Sequence, residues 1–296
     1  MATTTQSQTQ QHTYALSDGD RIHLYGDSIL QQCFAPNNSF SFGAALTDAY
    51  SRKLDVVNRS LSGNNTLQAL RALSLCLAET PSQQRTRLLV IMFGANDARL
   101  SNTPGGPDQH IPLKDFTNNL RHMITHPSVQ AHEGVKVVLV TTPPVDDRKC
   151  LKADQERYPH LGQTLRRTAA TTATYAAAVR ELGAELEVPV LDIHTTMLAL
   201  SGHDRSSNPL PGSLEAPTNA TLQSFLIDGL HFSGEGYCLL FTELMKLIEL
   251  SSPELMSAIL PMRLPHGIPT LRGRARWISR AGRSQSGGRE VVMGKK

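Results

Sequence analysis

Apolar and polar positions along this chain follow two different rhythms, and the change from one to the other marks its elements. Five short runs rich in aliphatic and β-branched residues read as strands: "RIHLY" (21–25), "DVVNRS" (55–60), "RLLVIMFG" (87–94), "VKVVLVTT" (135–142) and "VPVLDI" (188–193). The stretches between them place apolar residues three and four apart and read as helices. These are "FGAALTDAYSRK" (42–53), "NTLQALRALSLCLAE" (65–79), "LKDFTNNLRHMITH" (113–126), "QTLRRTAATTATYAAAVRELGAEL" (163–186) and "GEGYCLLFTELMKLIEL" (234–250). Strands that are apolar on both faces and alternate with helices belong to a parallel sheet covered on both sides. The expected fold class is therefore α/β, a three-layer α/β/α sandwich around a five-stranded parallel sheet.

All five units fit one domain, residues 19–268, although 296 residues would allow two. No period of 20–50 residues repeats along the chain. Residues 1–18 are rich in Gln and Thr with no core-forming pattern, and read as a disordered lead-in. Three connections exceed the usual α/β length of roughly two to six residues: 98–112, 143–162 and 201–223. The first two follow the carboxyl ends of strands, where open α/β sheets place their ligands. The third runs on to "DGLHFS", and all three are placed to wall a single site.

Composition changes this picture mainly at one end. The formal charge is +3, but eight Lys/Arg against one acid follow Thr270, leaving 21 basic against 25 acidic side chains before it. The body is mildly acidic and the tail, 269–296, is basic and reads as a disordered extension. Four widely spaced cysteines, Cys33, Cys76, Cys150 and Cys238, form no CxxC pair, which argues against a zinc site or a disulfide framework and for reduced thiols. The first twenty residues lack a signal-type apolar stretch and any Lys or Arg, and no run is long enough to span a membrane. A cytoplasmic protein with no membrane span is expected.

The candidate chemistry sits where predicted strands end. In "YGDSIL", Ser28 follows the first strand; it can cap a helix, with Asp27 as an acid favoured in the first turn, or act as a nucleophile beside helix N–H groups. The GxSxG elbow is absent, because Leu30 stands where its second glycine would be. "SLSGNN" after the second strand offers Gly63, whose N–H no side chain obstructs, and "FGANDA" after the third offers the Asn96 amide. Both are also ordinary turn residues. In "FLIDGLHFSGEGY", Asp228 and His231 are three apart, a spacing that puts them on one face of a helical turn. There a carboxylate can fix the imidazole tautomer and leave the other nitrogen as a base. Ser233 can cap the helix that follows.

Together, "GDSI", "SLSGNN", "FGANDA" and "DGLHFSGEG" resemble, in order, the four sequence blocks of the GDSL-type or SGNH hydrolase superfamily. "FGAALTDAYSRKLDVVNRSLSG", "QHIPL" and "PELMSAILPMRLP" further resemble its isoamyl-acetate-hydrolysing esterase branch. The resemblance implies a flavodoxin-like domain with a catalytic triad of Ser28, His231 and Asp228. It also implies an oxyanion hole of the Ser28 N–H, the Gly63 N–H and the Asn96 amide, and an enzyme that hydrolyses short-chain acyl esters without cofactor or metal. His194 in "LDIHTTM" departs from the usual pattern and, with Asp192 nearby, is read as structural. Two alternatives stay open. An acyltransferase would use the same site with an alcohol acceptor. A binding module would use the tail's scattered arginines and Trp277 to contact nucleic acid or another polyanion, although a solvated extension is the simpler reading of that tail.

Overall fold

The structure, a computed structural model, describes residues 19–36, 40–77, 84–104, 109–161, 163–204 and 208–263. The expectations for 1–18 and for 269–296 concern residues outside that set. Five strands, β1 (Arg21–Gly26), β2 (Asp55–Asn58), β3 (Thr86–Met92), β4 (Lys136–Val140) and β5 (Val190–Leu191), form one sheet in the order β2-β1-β3-β4-β5. Every neighbouring pair is parallel, as the apolar runs require. The chain leaves β1 towards β2 and returns on the other side of β1 as β3. The β1/β3 seam is therefore the topological switch point, where such sheets open a crevice beyond their carboxyl ends.

The helices are α1 (Ser28–Gln31), α2 (Phe42–Ala49), α3 (Thr66–Cys76), α4 (Leu113–Ile124) and α5 (Pro127–Gln130), then α6 (Asp147–Arg157), α7 (Ala169–Leu186), α8 (Ile193–Leu200), α9 (Ala220–Ser224) and α10 (Gly234–Ser251). They cover the sheet on both faces, and the strands explain why. Successive side chains along a strand point to opposite faces. In β3, Leu88, Val90 and Met92 enter one core with Phe42 and Leu46 of α2 and Leu240, Leu244 and Ile248 of α10. Leu89, Ile91 and the following Phe93 enter the other, against Leu73 of α3, Phe116 and Leu120 of α4, and Val179 and Leu182 of α7. Both faces of the strand are dry, which is why it reads as continuously apolar.

Two elements depart from the reading of the sequence. The helix expected over 163–186 begins only at Ala169, where the Thr168 side chain caps it by accepting from the Thr171 N–H at 3.1 Å. Residues 163–168 are irregular. The connection 143–162 contains α6, capped by Asp146 accepting from the Lys149 N–H at 2.8 Å. Its sequence, "DRKCLKADQER", has no apolar stripe to give it away.

Candidate active site

Ser28 opens α1 directly after β1. Asp27, not Ser28, is the N-cap: its carboxylate accepts from the Ile29 N–H at 2.9 Å. This leaves the serine hydroxyl available, and Ser28 Oγ lies 2.9 Å from His231 Nε2. Gly26 just before it is required by close approach, since a Cβ there would stand 2.5 Å from the Met92 carbonyl oxygen on β3. The turn that delivers Ser28 thus presses against the switch-point strand.

Asp228 and His231 reach the same rim on a tight loop rather than on the helical turn expected from their spacing. Leu226 and Phe232 pair as an isolated antiparallel bridge, and the Ile227 N–H donates to the His231 carbonyl at 2.8 Å. Within that loop Asp228 Oδ1 accepts from the backbone N–H groups of Leu230 (3.0 Å) and His231 (2.8 Å). Its Oδ2 lies 2.7 Å from His231 Nδ1, which donates to it. Burial pushes the Asp228 carboxyl up, but the side-chain hydrogen bond and charge of His231 and the two N–H donors outweigh it. They hold Asp228 well below the ordinary carboxylate range. Ser233 caps α10, accepting from the Gly236 N–H at 3.2 Å.

Gly63 and Asn96 complete the rim. Gly63 has a φ of +82°, a conformation that side-chain-bearing residues rarely adopt. Asn96 Nδ2 donates to the Asn64 carbonyl at 2.9 Å, and its Oδ1 accepts from Arg167 Nη2 at 3.0 Å. The same guanidinium donates to the Ala95 carbonyl at 2.5 Å and to Gln109 Oε1 at 3.3 Å, while Gln109 Nε2 donates to the Gly63 carbonyl at 2.8 Å. Arg167 and Gln109 therefore tie the two strand-end loops together. Neither is assigned a site role by the sequence: Arg167 falls inside an expected helix, and Gln109 opens the "QHIPL" stretch of a loop.

These groups line one pocket of about 270 Å³. Cys150, Ala153, Asp154 and Arg157 form its outer wall, one face of α6 at helical spacing. The first long connection contributes Arg99 and Gln109, and Arg166 and Arg167 come from the segment before α7. None of the described residues of the third connection, 201–204 and 208–223, lines the pocket, contrary to expectation. It buttresses α6 from behind: Arg148 Nη1 donates to the Ser213 carbonyl at 2.8 Å, and Lys149 Nζ to that of Gln223 at 2.9 Å. His194 lines a separate cavity with Arg180, its Nδ1 donating to the Thr142 carbonyl at 2.9 Å. Burial lowers its pKa to about 4, so it is neutral and structural.

Two buried acids lie beneath the rim. Burial raises the Asp27 pKa to about 6 against the opposing hydrogen bond from Ile29 and the charges of His231 and Arg167. Asp97, next to Asn96, rises to about 7 for the same reason. Burial also raises the Cys150 thiol, which leaves it a poor nucleophile. Among the described residues no cluster of His, Cys, Asp and Glu suits a metal ion, and no helix is long and apolar enough to cross a membrane.

A three-layer α/β protein whose pocket opens over the switch point, lined by residues from the ends of β1, β2 and β3 and from the loop before α10, defines the structural class. Comparison with known proteins then places the chain within it. Residues 24–239 match the model of the GDSL-like lipase/acylhydrolase family; the chain belongs to that family and is a carboxylic ester hydrolase. An isoamyl acetate-hydrolyzing esterase 1 homolog of Bos taurus is 33% identical over 230 residues, 77% of this chain and 81% of that protein. The isoamyl acetate-hydrolyzing esterase of Saccharomyces cerevisiae is 28% identical over 243 residues, 80% of this chain and 89% of that protein. The crystal structure of a lipase/acylhydrolase from Enterococcus faecalis superposes with a TM-score of 0.52 at 26% identity, covering 78% of this chain and 95% of that one.

Proposed function

We propose that the protein hydrolyses short-chain acyl esters through an acyl-enzyme on Ser28. His231 Nε2 takes the hydroxyl proton as Oγ attacks the ester carbonyl, and the protonated ring then gives that proton to the departing alkoxide. In the second half, His231 takes a proton from water, which attacks the acyl group; the acid leaves and the serine proton is restored. Asp228 holds Nδ1 protonated, so that Nε2 is the basic nitrogen, and stabilises the imidazolium. The backbone N–H groups of Ser28 and Gly63 and the second N–H of the Asn96 amide donate to the carbonyl oxygen as it gains charge.

The observation that carries this reading is the hydrogen-bonded series Ser28 Oγ to His231 Nε2 at 2.9 Å and His231 Nδ1 to Asp228 at 2.7 Å. Support for short acyl groups comes from the names of the bovine and yeast relatives, which specify isoamyl acetate. General-base assistance is worth about 10²–10⁴-fold, and a donor to the oxyanion about 10²–10³-fold in kcat. Ser28→Ala should abolish hydrolysis of p-nitrophenyl acetate while leaving the circular-dichroism spectrum and Tm in place. Retained turnover in that variant would refute the proposal. A series of p-nitrophenyl esters from acetate to palmitate tests the chain length, with kcat/KM expected to fall steeply as the acyl group grows.

A further inference from the structure

The pocket wall carries more positive charge than hydrolysis of a simple acetate ester requires. Arg157, the last residue of α6, is exposed, and its guanidinium lies 5.9 Å from the Tyr158 ring; it makes no ion pair among the described residues. Arg166 stacks over the same ring at 4.5 Å, with Nε 3.5 Å from Asp154. Among the described residues Arg167 donates hydrogen bonds to neutral acceptors, the Ala95 carbonyl, Asn96 and Gln109, and feels the charges of Asp154 and the buried Asp27 without a direct ion pair to either. Among the described residues four guanidiniums line the pocket, those of Arg99, Arg157, Arg166 and Arg167, against the two carboxylates of Asp154 and Asp228, and Asp228 is committed to His231. The surplus is local, since the chain up to Thr270 has 21 basic against 25 acidic side chains. Among the described residues the aliphatic side chains on the lining are Ala153 and Leu230, so charged and polar groups make up most of the wall.

We propose that the pocket takes short acyl esters of alcohols that carry an anionic group, a carboxylate or a phosphate, received by Arg157 and Arg167. The proposal rests on the esterase reading above and names its substrate class. A two-carbon acyl group fills only a small part of about 270 Å³ once its carbonyl sits at Ser28, Gly63 and Asn96. The arginine wall is left to the alcohol portion. Guanidinium forks match carboxylate and phosphate oxygens and are less strongly hydrated than ammonium groups, so a partly enclosed pair of them favours an anion. Hydrolysis releases the short acid and the anionic alcohol, with water the only co-reactant.

The test measures acetate release in two arms. One compares 3-acetoxypropanoate with its neutral carboxamide, and the other 2-acetoxyethyl phosphate with 2-acetoxyethanol. We expect kcat/KM to favour the anion by about tenfold or more in at least one arm, the scale of one charge-assisted hydrogen bond. The arm that responds distinguishes carboxylate from phosphate. The preference should shrink with added NaCl and fall at least threefold in Arg157→Gln, with Arg157→Lys retaining part of it. Equal or better turnover of the neutral esters in both arms, or a preference untouched by Arg157→Gln, overturns the inference and leaves the esterase reading standing, provided p-nitrophenyl acetate is hydrolysed in a Ser28-dependent manner. Loss of that dependence removes both.

Discussion

Arg167 Nη2 donates to Asn96 Oδ1 across 3.0 Å, and this one contact decides which way the Asn96 amide faces. With its oxygen held by a guanidinium that can only donate, the amide must turn its N–H groups the other way, to the Asn64 carbonyl and to the pocket rim. In the proposed mechanism Arg167 is a positioning residue that acts through Asn96. Arg167→Met should therefore lower kcat on p-nitrophenyl acetate by about 10- to 100-fold with a smaller change in KM. The double variant Arg167→Met/Asn96→Ala should be little worse than Asn96→Ala alone. Additive losses in that cycle would show that Arg167 acts elsewhere.

Gly63 isolates the backbone's contribution. A Cβ built there meets only Gln109 Nε2, at 3.6 Å, an ordinary contact, so space is not what excludes a side chain. The φ of +82° is. Gly63→Ala must either hold strained backbone, at a cost of about 1–3 kcal/mol, or rotate its N–H away from the rim. Either response keeps the fold. Expected outcomes are a Tm lowered by a few degrees and a drop in kcat larger than that loss of stability accounts for, read by thermal melts and steady-state kinetics on the same preparation.

What the sequence disclosed, and what it hid, follows from burial. β3 is dry on both faces, and β1 and β4 are buried over most of their length, so their runs are largely apolar, and the chemistry-bearing residues stand where those runs stop. Helix α6 stayed invisible because its inner face meets a polar pocket instead of a core. Cys150, Ala153, Asp154 and Arg157 repeat with helical spacing, but only apolar repeats announce a helix. Arg166 and Arg167 were absorbed into α7 because the alanine-rich run behind them propagates helix readily. Thr168 was the available signal, a capping residue directly before that run. The spacing of Asp228 and His231 fits a helical turn, whereas Gly229, with a φ of +88°, closes a loop that brings the two side chains together another way.

Asp228 tests the charge beneath the histidine. It is held below the ordinary carboxylate range and stays ionised through the neutral region, so it should not set the acid limb of the rate profile. Asp228→Asn keeps the size of the side chain but removes the charge and the preference for a proton on Nδ1. A fall in kcat of about 10³–10⁴-fold is expected, the scale of the corresponding loss in serine proteases. Proton NMR of the His231 ring should show the changed Nδ1 hydrogen bond in the same variant. Near-normal kcat would remove Asp228 from the mechanism.

Asp97 should make the protein's stability depend on pH in a direction opposite to that of a salt-bridged carboxylate. Its Oδ1 accepts from the Thr66 N–H at 2.9 Å and from the Thr66 hydroxyl at 2.5 Å, but its buried Oδ2 has no hydrogen-bond partner among the described residues. Burial raises its pKa from 3.8 to about 7. Below pH 4 the carboxyl is protonated in both the folded and unfolded chain and contributes nothing to the pH dependence. Between about pH 4 and 7 the unfolded chain gives up the proton while the folded one retains it, so stability declines with rising pH; above about pH 7 the full penalty persists. Asp27, raised to about 6, acts in the same sense. Asp97→Asn keeps an acceptor for Thr66 and can carry no charge. Its Tm relative to wild type should therefore be higher at pH 8 than at pH 5, by several degrees on the scale of about 2–4 °C per kcal/mol for a domain of this size. A difference that does not change between those two pH values would mean that Asp97 does not hold its proton in the fold.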